Sequence, residues 1–494
     1  GRLTRYVDAF GQAIAYEYDA VGNRTALVYP DGKRVTYGFD GAQRLTRVTD
    51  WGGRVTQYAY DAAGQLTGTV NSNGTTVASA YDAAGRLTDL ANRRADGSVL
   101  ATYSYALDAV GNRTAVVQEQ PLSKAPAAAV TPYTYDAANQ IQAAGAVSFA
   151  SDPNGNLTSR VSTTGSTAYS WDFLDWLTQV SDGVTAAQYV HNGVGTRLAR
   201  RINGVTTRFV VDPQPTLSQL LVETDETGTA TGRYVYGLGL ISRVDASGQV
   251  AFYHFDPRGS TVAMTDPSQA VVNTYAYDEF GAVLSKQQTL AQSFNYVGQF
   301  GVMQEPNGLL FMRARYYDTA IGRFLSRDPA PAFNSLQDLN FFSYVNNSPI
   351  ALIDARGLSP HRSERGQIAG SRVNGATTFW GPSVLVSPAV GQPQRVGNVL
   401  GTAIIFGLPD KGEVIRAPTD DERIQWRYQE LQKTDPLLRD ACGSSDSLCL
   451  VRGDQLLEQA RRDVLGPRSQ APEASSFWAQ FIVILSELLN SFYK

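Results

Sequence analysis

A motif that returns every 21 residues constrains this 494-residue chain more than any other feature. Tyr18-Asp19-Ala20-Val21-Gly22-Asn23 recurs as Phe39-Asp40, as Tyr60-Asp61-Ala62-Ala63-Gly64-Gln65 and as Tyr81-Asp82-Ala83-Ala84-Gly85-Arg86. Looser copies follow at Leu107-Asp108, Tyr135-Asp136, Ser151-Asp152, Trp171-Asp172, His191-Asn192, Phe255-Asp256 and Tyr277-Asp278. Self-similarity at a short fixed period means stacked copies of one supersecondary unit. Ahead of the aspartates the residues alternate, as in Tyr103-Ser104-Tyr105 and Tyr133-Thr134-Tyr135, which is the period of a half-buried strand. The aspartate accepts local backbone hydrogen bonds and starts a turn, and a glycine two or three residues on supplies positive φ. The chain then returns as a second strand, for example Arg86-Leu87-Thr88 or Asn156-Leu157-Thr158. Each unit is therefore a β-hairpin, and hairpins laid side by side predict a mainly β fold built on one long antiparallel strip.

Composition narrows the function. Of 25 tyrosines, 23 precede residue 358, so the aromatic bias belongs to the repeats. A net charge of −4, with only 6 lysines among 42 basic residues, argues against an electrostatic nucleic-acid binder, which would want a basic face. Three histidines (His191, His254, His361) and two cysteines (Cys442, Cys449) predict neither a metal site nor a cofactor. Gly1-Arg2-Leu3-Thr4 matches Gly85-Arg86-Leu87-Thr88, so the chain is expected to begin inside a hairpin, with a missing N-terminal part of the same protein as its partner. About 14 hairpins give roughly 28 strands, a strip ~135 Å long and a ring only ~43 Å across. A compact domain the size of residues 359–494 would be ~35 Å wide. It would not fit such a ring beside the inner side chains, so either further repeats extend the shell, or the cargo is unfolded, or nothing is enclosed.

From 296 to 358 the texture changes. Arg313-Ala314-Arg315-Tyr316-Tyr317-Asp318 leads to Ile321-Gly322-Arg323-Phe324-Leu325-Ser326-Arg327-Asp328-Pro329, then to Asn346-Asn347-Ser348-Pro349 and Ile353-Asp354-Ala355-Arg356-Gly357-Leu358. The repeats together with this segment resemble the Rhs/YD-repeat family and its Rhs-associated core, which reads R-Y-Y-D-x-x-x-G-R-F, then S-x-D-P, then D-P-x-G-L. The family includes bacterial polymorphic toxins and toxin-complex C components, with teneurins as distant relatives. The resemblance implies a β-sheet spiral shell. In the toxin branches it also implies an intramolecular aspartyl protease whose aspartates fall on Asp328 and Asp354 and whose scissile bond is Leu358–Ser359. Two close carboxylates sharing a proton suit that chemistry, one activating water and the other protonating the amide. Arg323 or Arg327 is expected to bias which aspartate stays ionised. Ala355 departs from the family pattern, which has proline there. Turn-forming aspartates sealing the end of a spiral are the alternative.

Residues 359–494 lack the repeat and predict a small mixed α/β or mainly α C-terminal domain. Val384-Leu385-Val386 and Ala403-Ile404-Ile405-Phe406 read as short strands, and 419–464 reads as helical after Thr419-Asp420-Asp421-Glu422. No zinc-protease, nucleophile-elbow, Walker or deaminase motif appears. Cys442 and Cys449 are expected to close a disulfide loop if the protein is exported, with free thiols as the alternative. The apolar stretch 477–489 reads first as a helix docked on its own domain, and second as a membrane-surface or partner helix.

The expected organisation is thus YD/Rhs repeats over 1–295, an associated core over 296–358 and a variable domain over 359–494. The expected protein is bacterial, secreted or at the cell surface. Its shell processes and carries its own C-terminal domain as an effector or toxin, with secretion-system or immunity proteins as further partners. The alternative is an uncleaved structural or adhesive surface protein that binds carbohydrate or protein.

Overall fold

The computed structural model describes residues 2–126, 130–329 and 340–358, together with the backbone of 361–362. The expectations for the C-terminal domain, including the cysteine pair, the 477–489 stretch and the side chain of His361, fall outside the described residues, as does Ser359. The repeats form two antiparallel meanders. Eleven strands run from Arg5–Val7 to Arg113–Glu119, and sixteen from Tyr133–Tyr135 to Val283–Gln288. Every strand in both sheets is bonded to its neighbours in sequence, which is the hairpin succession that the repeat predicts. The strip is interrupted between them, where Pro121, Pro126 and Pro132 offer no N–H to a ladder.

The two signature residues have separate tasks. The aspartate closes the turn. In the Asp82 repeat its carboxylate accepts the amides of Ala84 (3.0 Å) and Arg86 (2.9 Å), and Arg86 Nε returns to it at 2.6 Å. Gly85 then adopts φ +75°. The Phe39-Asp40-Gly41 copy differs from expectation, because its left-handed residue is Gln43 (φ 62°) and not Gly41. The turn geometry fixes the position, so a non-glycine bears the strain there.

The aromatic residue ties one repeat to the one before it. Tyr18, Tyr60 and Tyr81 each donate their hydroxyl to the first carbonyl of an earlier return strand or its approach: Leu3 (2.8 Å), Leu45 (2.7 Å) and Leu66 (2.9 Å). Where the repeat has Trp171, the indole N–H takes over and donates to Leu157 O at 2.7 Å. The donor, more than the ring alone, explains why tyrosine is preferred at this place.

The second sheet lies on the first in the same direction. Tyr16 bonds Asp212 (2.8 Å), Asp31 pairs with Arg233 (2.7 Å), Asn73 donates to Asp266 O (2.9 Å), and Ala95 N donates to the Gln269 side chain (2.8 Å). Both members of these pairs advance together along the chain, whereas a strip folded back on itself would reverse one of them. This is the winding of a spiral. Strands Val250–Phe255 and Thr261–Thr265 are consequently buried along nearly their whole length, while Val55–Tyr60 alternates between buried and open positions. At the seam Arg24 meets Asp212 at 2.6 Å, with Asp212 wholly buried.

Beyond Gln288 the chain makes a plug. Four short strands, Met303–Gln304, Leu310–Met312, Arg315–Asp318 and Arg323–Phe324, form a small sheet. Arg323 donates to Asn139 O (2.6 Å) in the first turn of the second sheet, and Tyr317 donates to Phe280 O (2.9 Å) in its last. Leu157 N reaches Leu325 O between them (2.8 Å), and buried Arg197 pairs with buried Glu305 (2.5 Å). The sixteen-stranded sheet therefore curls until its first and last aspartate turns meet one hairpin.

Two consequences are measurable. Tyr60→Phe removes one inter-repeat hydrogen bond and is expected to cost about 1 kcal/mol, whereas Asp212→Asn leaves buried Arg24 without its counter-charge and costs about 3–5 kcal/mol. Denaturant titration of the variants checks that ordering. Burial drives His254 down to about 3 and His191 to about 4, so both are neutral when folded. Below the ordinary histidine range the unfolded chain binds more protons, so stability is complete above roughly pH 6.5 and is lost as pH falls toward 4. Thermal melts of His254→Gln should show a shallower acid decline than the parent.

Candidate active site

The site begins with a two-residue turn. Leu310–Met312 and Arg315–Asp318 pair through Met312 and Arg315, leaving Arg313 and Ala314 as the corner. Arg313 holds φ 62°, an unusual value for a long side chain, and its guanidinium stabilises the corner. It donates to Ser218 O (2.7 Å), Phe300 O (2.7 Å) and Ala355 O (2.6 Å). The corner in turn holds the segment that ends in Gly357-Leu358. Ala314 N donates to Arg356 O (3.1 Å), and Arg356 Nη2 donates to Thr216 O (2.8 Å). Where the family pattern uses proline, the carbonyl of Ala355 is tied down by Arg313. Gly357 packs directly on the corner with φ +69°, and a Cβ there would lie 2.7 Å from Met312 O. Only glycine fits that approach.

Asp354 is almost fully buried. Its Oδ1 accepts the amides of Gly357 (2.8 Å), Arg356 (3.2 Å) and Leu358 (3.2 Å). Burial pushes its carboxyl up to about 6, against the opposing pull of Arg315 and of the Leu358 and Gly357 amides. Asp328 arrives from the other side, where its own amide donates to Phe341 O at 3.0 Å. Between the two carboxylates lies Arg315. Its Nη2 is 2.9 Å from Asp328 Oδ2 and 3.6 Å from Asp354 Oδ2. Nη1 donates to Phe341 O (2.9 Å), Nε donates to Gly357 O, and the guanidinium sits 3.6 Å over the Phe324 ring.

The structure thus brings together Asp328, Asp354 and Leu358. The expected supporting arginines are elsewhere. Arg323 points to Asn139 O and the Asn340 side chain, with Tyr135 beneath it at 4.6 Å. Arg327 is exposed and lies over Phe341 at 4.8 Å. Arg315 occupies the position between the carboxylates, and sequence reasoning missed it. In a tyrosine-rich strand it reads as a sheet residue, and only the return of 354–358 onto its corner gives it partners. Among the described residues no three His, Cys, Asp or Glu side chains gather as a metal would require.

Comparison with known proteins decides the lineage. Residues 60–350, more than half of the chain, match the teneurin YD-shell model, and residues 1–35, 22–55 and 39–76 match the RHS repeat. The chain belongs to the teneurin YD-shell family. A tRNA3(Ser)-specific nuclease WapA of Bacillus spizizenii is 30% identical over 270 residues, which are 53% of this chain and 11% of that protein. Toxin subunit YenC1 of Yersinia entomophaga is 29% identical over 185 residues, 36% of this chain and 18% of that subunit. This YD-shell chain therefore spans a small fraction of the curated relatives it matches. The TcdB2–TccC3 crystal structure superposes with a TM-score of 0.52 at 20% identity, covering 70% of this chain and 22% of that one, and so shares the shell fold.

Replacing Gly357 by alanine should open the corner. The strain is on the order of 1–3 kcal/mol, and faster hydrogen exchange at the Gly357 and Leu358 amides is the expected readout.

Proposed function

We propose that this chain is the shell and self-processing plug of a secreted bacterial Rhs-type protein, and that it cuts its own Leu358–Ser359 bond to free residues 359–494 as cargo. The single observation that carries this reading is the pair of carboxylates, Asp328 and Asp354, on one guanidinium nitrogen beside the Leu358 amide. Turn-forming aspartates alone have no need of a second carboxylate on the same guanidinium. Relatives named as a toxin subunit and as a nuclease favour a toxic cargo.

In the proposed reaction the two carboxyls share one proton, carried by Asp354, whose burial holds it near 6. Asp328 takes a proton from a water molecule as the water oxygen attacks the Leu358 carbonyl carbon. Asp354 then gives its proton to the Ser359 nitrogen, and the C–N bond breaks. The products are a new carboxyl group on Leu358 and a new amine on Ser359. Aspartate pairs whose environments push their protonation apart divide acid and base roles in this way.

Cell-free synthesis of the full chain followed by a denaturing gel tests the proposal. The parent should give a fragment whose N-terminal sequence starts at Ser359, while Asp328→Asn and Asp354→Asn each remain at full length. Because Asp354 must keep its proton, the parent's cutting rate should fall as pH rises through about 6. A parent that stays intact would favour the uncleaved adhesive protein instead, with carbohydrate or protein as its ligand.

A further inference from the structure

We infer that Leu352–Ile353 is a docking strand for the chain beyond the cut, which it recognises by backbone pairing at residues 361–362 and not by side chains. The inference rests on the reading above. It names what the self-cleaving site accepts on the leaving side of its bond, an extended main chain with N–H groups to donate.

Register sets the geometry. Leu352 stands opposite Arg362 and Ile353 opposite His361, in an antiparallel pair of their own. Residues 354–360 span the distance between the paired ends, and the Leu358–Ser359 bond lies within that span. Ile353 immediately precedes Asp354, so the strand that takes the leaving side is continuous with the carboxyl assigned to the leaving nitrogen. The acyl side is tied separately, by Ala355 O on Arg313 (2.6 Å) and by Arg356 O on the Ala314 amide (3.1 Å). The scissile peptide is therefore tethered on both sides, and fixing both ends of a reacting bond lowers the entropic part of its barrier.

The docking strand is held by contacts that do not involve the chain it receives. Ile353 is fully buried in the plug core with Tyr317 and Tyr344. Just ahead of it, Leu352 N donates to Ser348 O (3.0 Å), and Ile350 O accepts from Arg113 Nη1 (2.9 Å) at the last strand of the first sheet. The chain enters through Val345, Asn346 and Asn347, which hold φ 45°, 53° and 55°. Three successive left-handed residues without a glycine are costly, and for a β-branched valine such a value is an outlier. Strain of this kind persists only where surrounding contacts enforce it, and it collects at functional sites. Here it delivers the chain to the strand that meets residues 361–362.

Backbone groups supply the recognition. Buried N–H and C=O groups need partners, and among the described residues no strand other than 361–362 pairs with Leu352–Ile353. Strand addition takes its affinity from the main chain and tolerates varied side chains. Pro360 has no N–H to give, and the pairing starts at the next residue. Such a site accepts any sequence beyond the cut that keeps proline out of the paired positions.

Cutting rates in full chains synthesised cell-free test the inference, comparing the parent with three double variants: His361→Pro/Arg362→Pro, His361→Ala/Arg362→Ala, and Gln367→Pro/Ile368→Pro as control. The paired prolines should slow cutting about 100-fold, because misplacing one side of a reacting bond costs that order. The factor should be the same from pH 5 to 8, since the carboxyls keep their surroundings. The alanine chain keeps its N–H groups and should cut within about two-fold of the parent, as should the control, whose prolines lie beyond the paired residues. Cutting of the paired-proline chain at the parent's rate would overturn the inference. Equal slowing of the alanine chain or of the control overturns it too, because side chains or general stiffness would then be at work. So does a shifted pH optimum in the paired-proline chain, which would show damage at Asp354 and not loss of docking. Should limited proteolysis show that chain to be misfolded, the single variants His361→Pro and Arg362→Pro decide, and parent-rate cutting by both overturns the inference. An uncut parent sinks the protease reading itself. A cut parent, inactive Asp328→Asn and Asp354→Asn, and a fully active paired-proline chain would sink only the docking strand.

Discussion

The shell depends on the hydrogen bonds of the Tyr-Asp pair at one edge of the strip. The aspartate closes each hairpin on its own amides, and the tyrosine hydroxyl binds that hairpin to a carbonyl of the repeat before it. A simple meander has strand-to-strand ladders only, and its turns are free to fray. Here the turn edge is cross-linked from repeat to repeat and offers a row of ordered backbone carbonyls. The plug uses that edge, taking Asn139 O, Phe280 O and Gly259 O as acceptors. The rigidity of the site is thus inherited from the repeat.

Buried arginines join the parts that the ladders cannot. Arg24 to Asp212 links the two windings, Arg197 to Glu305 links the second sheet to the plug, and Arg315 links two aspartates to the end of the plug. Guanidinium suits such seams because it is less strongly hydrated than ammonium and binds through a planar fork. The scarcity of lysine, 6 of 42 basic residues, which in the sequence spoke only against nucleic acid, has here a structural reading as well. Each of these pairs buries charge, so each is costly to break from one side.

The legible part of the fold was the local part. Alternation before each aspartate predicted strands such as Val99–Leu107 and Tyr133–Tyr135, because side-chain direction in a strand follows sequence parity. Asp328 and Asp354 were legible as a pair through the resemblance of their motifs. Arg315 was not, since its role comes from contacts with Phe341 and Gly357, 26 and 42 residues away. Arg323 had equal claim by sequence proximity, yet its strand aims it at Asn139. The position of the positive-φ residue also escaped the sequence at Asp40, where turn geometry and not the nearest glycine decides.

By itself, then, the sequence determined the hairpin, its period, the residues that close it and the two carboxylates that end the repeats. These follow from short-range rules on backbone dihedrals, strand parity and turn hydrogen bonding, which act within one repeat. Only the tertiary structure decided that the strip breaks at three prolines, winds on itself in register and curls around a plug. It alone placed a guanidinium between the carboxylates and the Gly357 carbonyl. Those outcomes depend on which distant surfaces bury together, and packing free energy is set by pairs of residues far apart in the chain, where periodicity carries no information.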